Sequence, residues 1–195
     1  MKRTFAVITI IVLLSGTLSG CSLDFIPSTM GPESEEVQVN GDVYQFPMTY
    51  DEFAAYGWDI DIDPEKIADP DYPDGAFCTR EGLEILISYS TYDDSFKPVK
   101  DCMIIGIDID LLWKENNTAD VVLPSDIKLG VATAQDVRDE YGAPSRRALD
   151  VTESYGERMN YEHESGTTFM LFFDKESGLL RRVIIRNDTR PEENS

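Results

Sequence analysis

The sequence predicts an α+β protein made of two tandem units, each a short helix packed on a three- to four-stranded antiparallel sheet. Three observations carry this expectation. A helix-start pattern occurs twice, at Thr49 and Thr133, 84 residues apart. Each copy is followed by short segments of alternating polarity with turn residues between them, the pattern of an antiparallel meander. A polar joint, KENNTAD at 114–120, separates the two stretches. Residues 1–20 then read as a lipoprotein signal peptide, 21–36 as a flexible tether and 37–113 as a first, acidic unit. Residues 114–120 are the linker, 121–188 the second unit and 189–195 a tail.

The chain opens on a cationic Met1-Lys2-Arg3 and an apolar run from Phe5 to Leu14 that is too short to span a bilayer unaided. Leu18-Ser19-Gly20-Cys21 follows and resembles a bacterial lipobox, at which the cysteine is acylated and the preceding peptide removed. This predicts a mature chain held to a membrane through lipidated Cys21 on the extracytoplasmic side. One acyl chain binds a bilayer only marginally, so a stable anchor needs two or three. An ordinary signal peptide that leaves Cys21 as a thiol is the alternative. Ser22 to Glu36 mixes Pro, Ser, Gly and Glu without periodicity and reads as the tether.

In the first unit Thr49 can cap a helix, with Glu52 three residues on as its capping-box partner and Met48 and Phe53 at the staple positions. Gly57 stops that helix after two turns. Strands are expected at 58–63, 76–79, 83–89 and 102–109, with a loop at 64–75. In the second unit Thr133 and Asp136 repeat the box, Ala132 and Val137 the staple, and Gly142 with Pro144 the stop. Strands are expected at 146–153, 158–164, 167–173 and 179–186, with Ser165-Gly166 as a tight hairpin turn.

The second unit carries a further resemblance. Ile127-Lys-Leu-Gly130 with Thr133, Val137 and Gly142-Ala-Pro144 resembles the opening of the small outer-membrane assembly lipoproteins of the BamE/SmpA type. Thr168 to Asp174, Gly178-Leu-Leu180 and Val183 are similar to that family's closing hairpin. The resemblance covers roughly residues 125–187. It implies a helix-plus-sheet unit of the kind found in tandem in the β-lactamase-inhibitor-protein-like fold. It also implies a role in protein–protein contact within the cell envelope. Tyr44-Gln-Phe-Pro47 and Gly57-Trp58 look like phrases from surface lipoproteins of Gram-positive gut bacteria.

Charge narrows the function classes. The 195-residue chain has a formal charge of −20, and removal of residues 1–20, with two basic and no acidic residues, takes it to −22. Such a surface repels phosphate backbones, so no nucleic-acid partner is expected. The charge is lopsided: residues 21–120 hold 23 acidic and five basic residues, residues 121–195 hold 14 and ten. Arg146, Arg147, Arg181, Arg182 and Arg186 either decorate the solvent side of the second sheet or pair with the acidic first unit, in the same molecule or in a neighbour.

Catalytic chemistry has little to stand on. His163 is the single histidine, on a predicted strand between Glu162 and Glu164, and no nucleophile, phosphate-loop or metalloprotease motif accompanies it. The expectation is a non-enzymatic chain. Between Asp59 and Asp74 the acids cluster, and Asp63, Asp69, Asp71 and Asp74 are candidate ligands for calcium, although no glycine turn or bidentate Glu completes an EF-hand. With Cys21 acylated, Cys78 and Cys102 remain; an exported compartment permits a bridge between them, and two half-buried thiols are the alternative. The leading expectation is a lipid-anchored envelope protein that binds another envelope protein without catalysis. The other is a surface lipoprotein that binds a cation or small ligand through the acidic first unit.

Overall fold

The structure is a computed structural model that describes residues 31–71, 73–93, 95–113 and 119–189. The expected signal peptide, Cys21, the first part of the tether, residues 114–118 of the joint and residues 190–195 of the tail lie outside the described residues.

The first half contains β1 (Val37–Val39), β2 (Asp42–Tyr44), β3 (Met48–Thr49), α1 (Tyr50–Ala55), β4 (Asp59–Ile60), β5 (Ile67–Ala68), β6 (Asp74–Arg80), β7 (Leu83–Ser90), β8 (Lys97–Pro98) and β9 (Met103–Asp110). The second contains β10 (Val121–Leu123), β11 (Ile127–Lys128), α2 (Ala134–Tyr141), β12 (Arg146–Leu149), β13 (Tyr155–Glu162), β14 (Thr167–Asp174) and β15 (Leu180–Asn187). Both helix starts form as the sequence predicts. The Thr49 hydroxyl accepts from the Glu52 amide at 3.2 Å, while the Glu52 carboxylate accepts from the Thr49 amide at 2.8 Å. Thr133 and Asp136 repeat both bonds at 3.2 and 2.8 Å. Gly57 and Gly142 end the helices at φ +83° and +75°, a backbone region that L side chains avoid.

The expected pair of helix-on-sheet units is corrected by the way these elements assemble. Of the described residues 47% are in strands and 13% are helical, with two α-helices, and the whole is a β-rich sandwich. The two meanders are one antiparallel sheet of order β12-β13-β14-β15-β9-β7-β6-β4, with β3 beside β9 as its ninth strand. The seam is β9 against β15, registered from Arg182 opposite Asp110 to Arg186 opposite Gly106. A four-stranded sheet of order β11-β10-β1-β2 forms the facing layer.

The helices are too short to do what the sequence assigned them. α1 buries only Phe53, and α2 only Val137 and Tyr141. Three side chains cannot cover eight inner-face strands, so Val37, Val39, Val121, Leu123 and Ile127 of the small sheet supply the rest of the lid. They join Ile107, Ile109, Phe169, Leu171, Val183 and Ile185 of the large sheet in one buried cluster drawn from both halves. Two separate meanders would also leave β9 and β15 as bare edges, an arrangement that edge-to-edge pairing removes.

The register also corrects the Cys78–Cys102 bridge. Both are buried free thiols. Cys78 lies level with Ile85 on β7, and Ile85 falls level with Ile109 on β9, seven residues along that strand from Cys102. At about 3.3 Å per residue the two are roughly 20 Å apart along the sheet, beyond the span of a disulfide. Burial pushes the Cys78 thiol up to about 12 and raises Cys102 as well. A Cys21→Ser form is therefore expected to show two alkylatable thiols once unfolded without reductant, and almost none when native; intact mass after alkylation decides it.

Candidate functional site

The inner face of the large sheet is consumed by the core, and its outer face carries two side-chain rows that run across all eight strands of the main path. In the first row Asp61, Phe77, Leu86 and Asp108 stand in register on the β4–β9 side. Ile184, Met170, Asn160 and Arg146 continue it on the β15–β12 side. The second row has Asp59, Thr79, Glu84 and Asp110 on one side of the seam. Arg182, Phe172, Arg158 and Ala148 lie on the other. The alternation that sends Cys78, Ile85, Ile107 and Ile185 inward leaves these residues outward, because successive strand side chains point to opposite faces.

A buried ion pair sits at the seam. The Arg182 guanidinium donates to both oxygens of Asp108, at 2.9 and 2.6 Å, and approaches Asp110 at 4.0 Å. Burial pushes the Asp108 carboxyl above its ordinary range, against the lowering effect of Arg182, and the pairing raises Arg182 in turn. Arg182 also lies over the rings of Trp113 and Phe172, at 5.6 and 5.0 Å. Trp113 makes an edge contact with Phe77, which is 47% exposed. None of Phe77, Leu86, Trp113, Met170, Phe172 or Ile184 belongs to the core cluster. Aromatic rings, a desolvated arginine and half-buried aliphatics with charges at the margins are the makeup of a protein-binding patch.

A cleft of about 690 Å³ opens between the segment leading into β1, the β2–α1 region and the β13–β14 hairpin. Glu35, Glu36 and Glu52 line it with Phe46, Met48 and Tyr56. Glu35 and Glu36, expected as the end of the tether, pack here, while Gly31, Pro32 and Glu33 lie along Tyr161 to Glu164 at the end of β13. Glu35 accepts from the Gln45 amide and, at 2.9 Å, from the Thr167 hydroxyl. His163 belongs to the same network: its Nδ1 lies 2.8 Å from Ser165 Oγ, accepts the Ser165 amide at 3.2 Å and sits 3.9 Å from Glu35. Ser165 is tied on its other side to Thr167 at 3.0 Å. The histidine and serine thus brace a tight turn two residues apart, the local side-chain bonding such residues favour.

Burial would raise Glu35, but hydrogen bonds from Ser165, Gln45 and Thr167, with His163 nearby, hold it below its ordinary 4.5. A depressed carboxylate contributes stability that is fully present above 4.5 and is lost as pH falls through its lower folded value. Acidification is therefore expected to loosen residues 35–45 from the hairpin before the sheet unfolds. Hydrogen exchange at neutral and acid pH reads this, and Glu35→Gln should abolish the pH dependence at those amides.

The calcium candidates do not converge. Asp63 accepts its own loop's Glu65 amide at 3.0 Å, and Asp69 accepts the Asp71 amide at 2.9 Å. Asp74 is held by Lys66 at 3.1 Å, Tyr89 at 2.9 Å and the Gly75 amide at 2.9 Å. Donors and local turns satisfy Asp63, Asp69 and Asp74 one by one, and among the described residues no group of three or more His, Cys, Asp or Glu is placed to hold a metal ion. Sequence reasoning left open where the arginines go, and it missed the hairpin β1–β2. Asn40-Gly41, with φ +50° and +92° between Val37/Val39 and Val43, is the turn signal that would have found the latter. Among the described residues no helix is long and apolar enough to cross a membrane. No protein family, curated protein or solved structure matches the chain.

Proposed function

We propose that this chain is a non-catalytic, lipid-anchored protein of the bacterial envelope, tethered through Cys21 on the extracytoplasmic side, that binds another protein through the outer face of its nine-stranded sheet. The observation that carries this reading is the patch around Arg182, where Trp113, Phe172 and Phe77 surround a buried Asp108 pair on the face the core does not use. The Leu18-Ser-Gly-Cys21 sequence supports the anchor. Crosslinking in intact cells, with capture of the tagged chain, tests both parts. Cys21→Ala should release the protein from the membrane fraction, and Phe77→Ala should lower the yield of the crosslinked partner about tenfold, as loss of a central aromatic contact does. A membrane-bound Cys21→Ala, or unchanged crosslinking by Phe77→Ala, refutes the corresponding part.

A second reading is favoured by the cleft. Three glutamates beside Phe46, Met48 and Tyr56 suit a small cationic ligand with an apolar body, or calcium alone, in the acidic half of the chain. Calorimetric titration with calcium chloride and with a set of organic amines decides it, since absence of saturable heat removes this reading.

A further inference from the structure

We propose that the outer face of the large sheet pairs with the same face of a second copy of this chain, about a two-fold axis that runs along the β9–β15 seam, parallel to the strands. This rests on the protein-binding reading of that face and names its partner. The two rows are not uniform in charge. On the β4, β6, β7 and β9 side they carry acidic residues and no basic ones; on the β15, β14, β13 and β12 side they carry arginines and no acidic ones. Four strands lie on each side of the seam.

That division selects the axis. Rotation about an axis parallel to the strands lays β4 of one copy over β12 of the other and keeps each row over itself. Asp61 of one copy then faces Arg146 of its partner and Leu86 faces Met170, twice over in a self-complementary interface. Asp59 lies one strand, about 4.8 Å, to the side of the position that faces Arg158. Rotation about the in-plane axis perpendicular to the strands would set acid on acid and arginine on arginine. Seven inter-strand gaps of about 4.8 Å and strands that run from eight residues at the centre to four and two at the edges, at about 3.3 Å each, make a face roughly 34 Å wide and up to about 26 Å long. Its area is close to the ~800 Å² per partner of a standard stable interface. Each copy's Asp108–Arg182 pair is already internally matched and lies on the axis, so pairing strands no unpaired charge there.

The test uses two differently tagged copies of the full chain, co-expressed, extracted in mild detergent and examined by co-purification and sedimentation. Wild type should co-purify and sediment as a dimer, less so as salt is raised. Arg146→Glu with Arg158→Glu, or Asp59→Arg with Asp61→Arg, should each weaken self-pairing roughly 100-fold by setting like charges face to face. Mixing the two variants should restore pairing between them while neither pairs with itself, a result that also shows both are folded. Wild type that stays monomeric, or charge variants that still self-pair, overturns the proposal. If wild type is monomeric but Phe77→Ala still lowers crosslinking to a different protein, self-pairing falls and the protein-binding reading stands. If neither dimer nor Phe77-dependent crosslink is found, both fall.

Discussion

Gly106→Ala is expected to lower the unfolding temperature by about 10 °C, corresponding to at least ~3 kcal/mol of stability. A methyl group at this position would lie 2.2 Å from the Ile185 carbonyl oxygen and 2.9 Å from Arg186 Cα, both backbone atoms of β15. No side-chain rotation relieves such a contact, so the strands must part where the seam joins the two halves. Gly106 faces Arg186 on β15 and Ser88 on β7, so it is enclosed from both sides. Ser88→Ala, one strand away on the same row, removes no contact of this kind and should stay within about 0.5 kcal/mol. Thermal and urea unfolding of the two variants side by side gives the comparison. A Gly106→Ala protein as stable as Ser88→Ala would mean that β9 and β15 are not closely paired.

Arg182→Met should cost about 3–5 kcal/mol near neutral pH, the penalty for leaving one member of a buried ion pair without its partner. The Asp108 side chain is only 10% exposed and gives its two oxygens to that guanidinium. The pH dependence has a definite sign. Burial already raises Asp108, and without Arg182 nothing opposes it. A carboxyl whose folded value is raised takes up its proton more readily in the folded state, so its destabilising charge is present at high pH and disappears as pH falls. The deficit of Arg182→Met against wild type should therefore shrink between pH 7 and about pH 4. Combining it with Asp108→Leu should recover most of the loss, because apolar replacement of both partners removes the desolvation cost along with the attraction. A pH-independent deficit would place its origin in lost packing of the arginine on Trp113 and Phe172 instead.

The candidate face was half legible. The alternation Ile107-Asp108-Ile109-Asp110 shows one acidic and one apolar strand face, and Arg181-Arg182-Val183 a mixed one. That Asp108 meets Arg182 needs the knowledge that β9 and β15 adjoin, and the two are separated by the whole second helix and meander. Trp113 gave no signal at all, since its position over Phe77 and Arg182 follows from the turn after β9. The acids from Asp63 to Asp74 are close in sequence, but Asp63 and Asp69 fold back on their own loop's backbone and Asp74 pairs with Lys66 and Tyr89.

What the sequence determined by itself is local. Thr49 and Thr133 start helices, Ser165-Gly166 turns a hairpin, and the alternating runs at 83–89, 102–109, 167–173 and 179–186 are strands, because caps, turns and side-chain alternation act within a few residues. Only the tertiary structure decided that two meanders share one sheet and that Val37–Val39 and Val121–Leu123 close over it. Those outcomes depend on which edges meet, in which register, and on whether two backbones can approach as closely as Gly106 allows. Such contacts join residues 70 or more positions apart, and a pattern that repeats every two or every 3.6 residues carries no information about them.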